Sequence, residues 1–255
     1  FTLVIDPGHG GKDPGNTGNG YLEKKIALSI GLKIGERLKK YKNISVIYTR
    51  KTDVFVDLYR RAKIANDVQA DLFISIHCDA HTSNAYGAGT FVLGLHANER
   101  NFKIAQKENS VIFLEDNYQQ KYEGFDPNNP ESVISLVLMQ EDYLDKSIVA
   151  ANFIQKSFVN RLKRRDRTVK QAGFLVLRNT FMPSVLVETG FLTNKKEGSY
   201  LNSNKGQNEM ADAISEAIIN YFEALDNPPK SFENITQIDK YEFKIQISAS
   251  KRLLP

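Results

Sequence analysis

Two histidines and two glutamates in the 255-residue sequence fall where chemistry is usually placed. His9 follows the run Phe1-Thr2-Leu3-Val4-Ile5-Asp6 and the turn pair Pro7-Gly8, and His77 ends the run Asp71-Leu72-Phe73-Ile74-Ser75-Ile76. Glu23 opens a stretch with helical periodicity, and Glu188 closes Val185-Leu186-Val187. The donor set His9, Glu23 and His77 suits a catalytic zinc ion. Three protein ligands leave a fourth position for water, whereas structural sites are closed by four and often include Cys. Zinc held in this way brings the bound water's pKa down to about 7 and polarises a carbonyl, and a base is still needed to carry a proton to the leaving amine. Glu188 is the candidate for that task. The four residues lie in separate segments with no short spacing rule between them, so their chemistry alone leaves ordinary strand-end and loop roles open.

Other groups compete for these roles. His81 lies four residues after His77, a ligand spacing on a helix, but the segment reads as a strand end and His81 as a loop residue. His96 begins an irregular stretch and reads as a surface residue. Cys78 suggests a thiol nucleophile beside His77, yet neighbouring residues on a strand point to opposite faces. Gly8, Gly10 and Gly11 permit a tight turn and close backbone approach around His9. They lack the Gly-Lys-Ser/Thr ending of a phosphate loop and the spacing of a dinucleotide site.

The elements that must position these residues alternate between strand and helix. Phe1–Asp6 reads as a buried strand. From Glu23 to Tyr41, Ile26, Ile30, Ile34 and Leu38 recur every fourth residue, predicting an amphipathic helix with Glu23 in its first turn, where a carboxylate suits the helix dipole. Ile44–Tyr48 predicts a second strand, Asp57–Gln69 a second helix and Asp71–His77 a third strand. Gly89–Gly94, Gly173–Leu177 and Ser184–Glu188 predict three more strands, and Gly206–Phe222 a closing helix. This order predicts an α/β fold over residues 1–225, a mostly parallel twisted sheet of about six strands flanked by helices. Residues 95–146 break the rhythm around Gly124-Phe125-Asp126-Pro127 and read as a helical insertion over one face. Residues 226–240 read as a linker. Tyr241–Ser250 alternates like a strand, which cannot be stable alone, so residues 241–255 read as the start of another module.

Composition narrows the class. With 41% hydrophobic and 25% charged residues the chain is globular, and no apolar run reaches the roughly 18 to 20 residues of a membrane span. The net charge is +4. The cluster Lys163-Arg164-Arg165 with Arg167 reads as a solvated helix end, not a nucleic-acid patch. One cysteine excludes an internal disulfide framework. The opening residues read as a strand and not as a leader, which is no argument for the cytoplasm.

Three segments add a resemblance. Asp6-Pro7-Gly8-His9-Gly10-Gly11-Lys12-Asp13-Pro14-Gly15, Ser75-Ile76-His77-Cys78-Asp79-Ala80 and Pro183-Ser184-Val185-Leu186-Val187-Glu188-Thr189-Gly190-Phe191-Leu192-Thr193-Asn194 resemble the zinc-dependent N-acetylmuramoyl-L-alanine amidases of the bacterial cell-separation type, amidase type 3. The resemblance spans residues 1–224. It implies that His9, Glu23 and His77 hold one zinc ion and that Glu188 is the catalytic glutamate. The reaction it implies is hydrolysis of the amide between the lactyl group of N-acetylmuramic acid and L-alanine of peptidoglycan, in the periplasm or cell envelope, for wall remodelling and daughter-cell separation. Asp79 departs from the Asn that many members carry, which touches fine substrate contacts and not the metal. Some members have a helical segment that blocks the cleft until an activator protein displaces it. The insertion is where such a gate would lie, with Glu115, Glu123, Glu131 and Glu141 the candidates to occupy the open metal position; a surface excursion shaping the substrate groove is the equal alternative. Tyr241–Ser250 resembles the first strand of a sporulation-related repeat that binds peptide-free glycan.

Two other functions use the same residues. A zinc peptidase or carboxypeptidase would cut within the stem peptide, and a catalytically inactive cell-wall binding module would need no base at Glu188.

Overall fold

Short β-rich runs separated by amphipathic stretches form alternating strands and helices in the computed structural model, which describes residues 1–95, 98–122, 125–133 and 141–227. In chain order the elements are β1 (Thr2–Pro7), β2 (Thr17–Gly18), β3 (Tyr21–Leu22), α1 (Glu23–Leu38), β4 (Ser45–Tyr48), α2 (Leu58–Asp67), β5 (Leu72–Asp79) and β6 (Ala88–Leu93). Then come α3 (Glu99–Asn109), a 3₁₀ turn (Ser110–Leu114), α4 (Tyr118–Lys121), a second 3₁₀ turn (Pro130–Val133) and α5 (Glu141–Asn160). β7 (Asp166–Ala172), α6 (Leu175–Arg178), β8 (Ser184–Phe191), α7 (Lys195–Asn202) and α8 (Asn204–Asp226) complete the described elements.

The principal sheet has six strands in the order β4-β1-β5-β8-β6-β7. All neighbouring pairs are parallel except β6 with β8. β5 and β8 are buried along their whole length, as a central strand covered on both faces must be. On one face, Val4, Phe73, Phe91 and Leu186 join Leu58 and Ala65 of α2 and Ala105 of α3 in one cluster. The insertion therefore packs on the same face as α2. α1 covers the other face, where Gly31 lets it approach Ile5 and Pro7.

Two expectations change. Gly173–Leu177 is not a strand: Leu175–Arg178 is a short helix, and the strand lies earlier, at Asp166–Ala172. The earlier segment is a polar edge strand with no apolar alternation to reveal it. The apolar residues Phe174 to Leu177 are buried in the core instead. α5 also begins at Glu141 and packs on β6, β7 and β8, so the last residues assigned to the insertion start a core helix.

Phe1–Tyr221 form one compact unit, and a second, Phe222–Pro255, is described only through Asn227, with helix to Asp226. The linker and module read over residues 226–255 lie, beyond Asn227, outside the described residues, as do His96 and Glu123.

Candidate metal centre and active site

The site forms at the carboxyl ends of β1, β5 and β8, the edge at which ligands bind in open α/β sheets. His9 lies just after β1 in a left-handed conformation, φ 60°, and Gly10 follows at φ 124°. His77 and Glu188 are register partners at the ends of β5 and β8. Glu23 is the first residue of α1 and is fully buried.

Backbone donors hold the Glu23 carboxylate. Its Oε2 accepts the Asn16 N–H at 2.7 Å and its Oε1 the Cys78 N–H at 2.8 Å. The two imidazoles are oriented from behind: His9 Nδ1 meets Asp13 Oδ2 at 2.7 Å, and His77 Nε2 meets Ser75 Oγ at 3.1 Å. Each ring thus turns its other nitrogen toward the same point, as metal-ligating histidines do. The glycines make room. A Cβ on Gly8 would lie 2.4 Å from His77 Cε1, and one on Gly15 would lie 2.5 Å from His9 Cδ2.

His9 Nε2 is 3.1 Å from Glu23 Oε1, and His77 Nδ1 is 3.1 Å from the same oxygen. A fourth residue completes the group. Glu108 Oε2 lies 3.2 Å from His9 Nε2 and 3.1 Å from His77 Nδ1. One ligand atom from each of these four buried residues lies within 4.8 Å of all the others.

The electrostatics suit a cation. Burial pushes both imidazoles down, but the nearby carboxylates outweigh it and hold His9 well above, and His77 up at about 9. Burial likewise raises Glu108, and repulsion from Glu23 adds to this, but the two histidines bring it down to about 2. Two buried carboxylates therefore demand two positive charges, which two imidazolium protons or one divalent ion can supply. His9 Nε2 and Glu108 Oε2 have no hydrogen-bond partner although both are buried and converge with the other donors. The donor set fits a metal of the zinc type.

Glu188 is 3% exposed, and neither carboxyl oxygen has a hydrogen-bond partner. Burial, followed by the charges of Asp79, Glu108 and Glu23, pushes its carboxyl well above the usual range. A buried acid of this kind beside a cleft is suited to proton transfer. Asp79, the departure from the usual motif, bonds the Ala80 N–H at 2.7 Å and stays outside the four-residue cluster. Burial raises it to about 6.

The rival groups lie elsewhere. Cys78 points away and meets Thr189 Oγ1 at 3.2 Å, and burial pushes its thiol well up. His81 is an exposed loop residue bonded to Ser83.

Among the described residues, the insertion carboxylate that meets these ligands is Glu108, not Glu115 or Glu131. Glu115 instead accepts from the Leu58 N–H at 2.8 Å and from the Tyr122 hydroxyl, bracing the start of α2. Glu131 is exposed, and the side chains of Glu123 and Glu141 lie outside the described residues. Glu108 carries no sequence signal because the buried stripe of α3, Asn101, Ala105, Glu108 and Asn109, is mostly polar. Its spacing is helical, but with one apolar residue the usual amphipathic signal is lost.

A family model described as N-acetylmuramoyl-L-alanine amidase matches residues 3–220. N-acetylmuramoyl-L-alanine amidase AmiA of Escherichia coli (strain K12) is 34% identical over 229 residues, covering 88% of this chain and 77% of that protein. Among solved structures, N-acetylmuramoyl-L-alanine amidase from Clostridium difficile 630 is 27% identical with a TM-score of 0.67, over 90% of this chain and 98% of that one. The CwlD amidase from Clostridioides difficile in complex with the GerS lipoprotein is 26% identical with a TM-score of 0.64, over 88% and 98%.

Proposed function

The chain belongs to the N-acetylmuramoyl-L-alanine amidase family and is a peptidoglycan amide hydrolase, and from that premise we propose that His9, Glu23 and His77 hold one zinc ion and Glu188 moves the protons of the reaction. The observation that carries this reading is the convergence of four buried donor side chains, with His9 Nε2 and Glu108 Oε2 lacking hydrogen-bond partners, beside a buried, unpartnered Glu188. When bound, the ion would supply a polarised carbonyl and an acidified water. Asp13 and Ser75 fix the imidazole orientations, and the Asn16 and Cys78 amides fix Glu23. Glu188 takes the proton of the attacking water and returns it to the departing alanine nitrogen. Its raised proton affinity makes the carboxylate a stronger base for the first half of that exchange, and its acid form supplies the second.

Digestion of purified peptidoglycan with and without chelator tests the assignment. The unaltered chain should release intact stem peptide and peptide-free glycan by mass spectrometry. Glu188→Ala should lose about 10²- to 10⁴-fold in rate, the range for a positioned acid–base group, while binding zinc as before. Fragments cut inside the peptide would identify a zinc peptidase instead, and loss of zinc in the variant would make Glu188 a ligand.

A second element of the proposal is a resting state in which α3 seats Glu108 against the metal ligands and an activator withdraws it. Glu108 meets both histidines at about the distance it would need to share their ion. Action on peptidoglycan sets the protein in the periplasm or cell envelope, in wall remodelling and cell separation. No helix of the described residues is long and apolar enough to cross a membrane.

A further inference from the structure

In the basic segment after α5, Lys163 and Arg165 are exposed, but Arg164 and Arg167 engage neighbouring groups. Arg164 pairs with Glu197 at 2.6 Å and lies over Tyr200. Arg167 belongs to β7, donates from Nε to the Tyr86 carbonyl at 2.8 Å, and holds its guanidinium carbon 5.1 Å from the Phe191 ring centre. Arg100, from α3, approaches the same ring at 5.9 Å. Lys170, also on β7, completes a group of three cations.

This group adjoins the reacting edge of the sheet. Gly89 of β6 is the register partner of Glu188, so the two share one face of the sheet. A Cβ on Gly89 would meet Arg167 Cβ at 3.0 Å and Lys170 Nζ at 3.6 Å. Glycine at this position thus lets Arg167 and the Lys170 ammonium pack close against β6 next to the Glu188 register position. Among the described residues, the carboxylate nearest these cations by ion-pair distance is Asp79, 3.8 Å from Arg100, and neither Lys170 nor Arg167 has an ion pair. Burial, and then the neighbouring cations, hold both below their usual ranges, while Asp79 draws both back up. Glu188 for Lys170 and Glu197 for Arg167 add counter-charge without pairing, so both cations keep charged hydrogen-bonding capacity for an anion that approaches.

We propose that Lys170 and Arg167 form a carboxylate-binding subsite beside Glu188 that takes a free carboxylate of the stem peptide, a few bonds from the scissile amide. The inference rests on the peptidoglycan amidase reading and extends it to substrate selection. The ammonium gives a point charge near the reacting end, and the guanidinium, steadied by Phe191, gives a planar donor set suited to a carboxylate. Arg100 adds a third charge that moves with α3.

The test is equilibrium binding of two soluble disaccharide-tripeptides, one with a free and one with an amidated α-carboxylate on the second stem residue. In both ligands a ketomethylene replaces the scissile amide, so the zinc-loaded chain binds them without turnover. The unaltered chain should bind the free acid about tenfold more tightly, the size of one charge-assisted contact near solvent. Lys170→Met should remove that preference while leaving affinity for the amidated ligand within about twofold, and Lys170→Arg should keep most of it. Equal binding of both ligands by the unaltered chain, binding of neither, or a Lys170→Met variant weakened equally for both would overturn the subsite. Product masses from the natural amides report separately on hydrolysis. Failure to release peptide there would sink the amidase reading and leave the binding preference standing.

Discussion

Asp6 touches no candidate ligand, yet the position of His9 depends on it. It is fully buried and accepts from Thr49, from Ser75 at 2.7 Å and from Arg61 at 2.7 Å. Arg61 in turn donates to the carbonyls of Pro7 and His9, and Arg50 donates to those of Pro7 and Gly8. Three successive carbonyls are held by two guanidinium groups, which replace the backbone partners lost where His9 turns left-handed. Asp6→Asn leaves Arg61 buried without its counter-charge, and a loss of about 3–5 kcal/mol is expected. Burial pushes the Asp6 carboxyl up, but Arg61 and the two hydroxyls bring it below its ordinary value of 3.8. A depressed carboxylate stabilises the fold fully above its unfolded value and ceases to do so as pH falls through the folded one. Urea midpoints of chelated protein should therefore differ most between unaltered chain and variant at neutral pH, and converge as acid protonates Asp6. A constant gap down to about pH 2 would remove Asp6 from this role.

At the scale of elements, α3 is the piece that joins the site to the insertion. The Asn98 side chain caps its start, accepting the Asn101 N–H at 3.0 Å. Asn101 donates to the Gln171 carbonyl at 3.2 Å; Asn109 donates to the Gly173 carbonyl at 2.8 Å and accepts from the Leu175 N–H at 2.9 Å. These bonds fasten α3 beside β7 and α6 and deliver Glu108 to the metal ligands. A cleft of about 490 Å³ lined by Asn16, Asp79, Arg100, Lys107 and Glu108 runs along its outer side. Glu108→Ala should keep zinc and release peptide faster than the unaltered chain. Asn109→Ala should act in the same direction, since losing two buried contacts loosens α3 by roughly 1–3 kcal/mol, read as faster amide exchange along the helix. A Glu108→Ala chain that loses its zinc would show the residue to be a permanent fourth ligand and not a gate.

Across the whole molecule, the candidate metal residues come from the loop after β1, from α1, from β5 and from α3. An ion that binds them only when all four elements are assembled stabilises the fold by mass action. At a free zinc concentration about a thousandfold above Kd the gain is roughly 4 kcal/mol, which for a chain of this size is on the order of 8–16 °C in Tm. Calorimetric scans with zinc and with chelator check this. Magnesium, which prefers oxygen ligands in an octahedral arrangement, should shift the transition far less. Identical transitions with zinc and with chelator would mean that the four side chains hold no ion.

What the sequence determined by itself is the set of elements whose signal is apolar and local: β1, α1, β5, β8 and the closing helix, with His9, Glu23, His77 and Glu188 at their ends. Burial on both faces writes a continuous apolar run into a central strand, and one-sided burial writes a four-residue repeat into α1, so both are readable without partners. Only the tertiary structure decided the rest. β7 is an edge strand of polar residues, and Glu108 rides a helix whose buried stripe is polar. Arg167 resembles part of a solvated basic run until Phe191 packs against it. In each case the stabilising partner is distant in sequence, and a charged side chain gives no periodicity that names the charge it will meet.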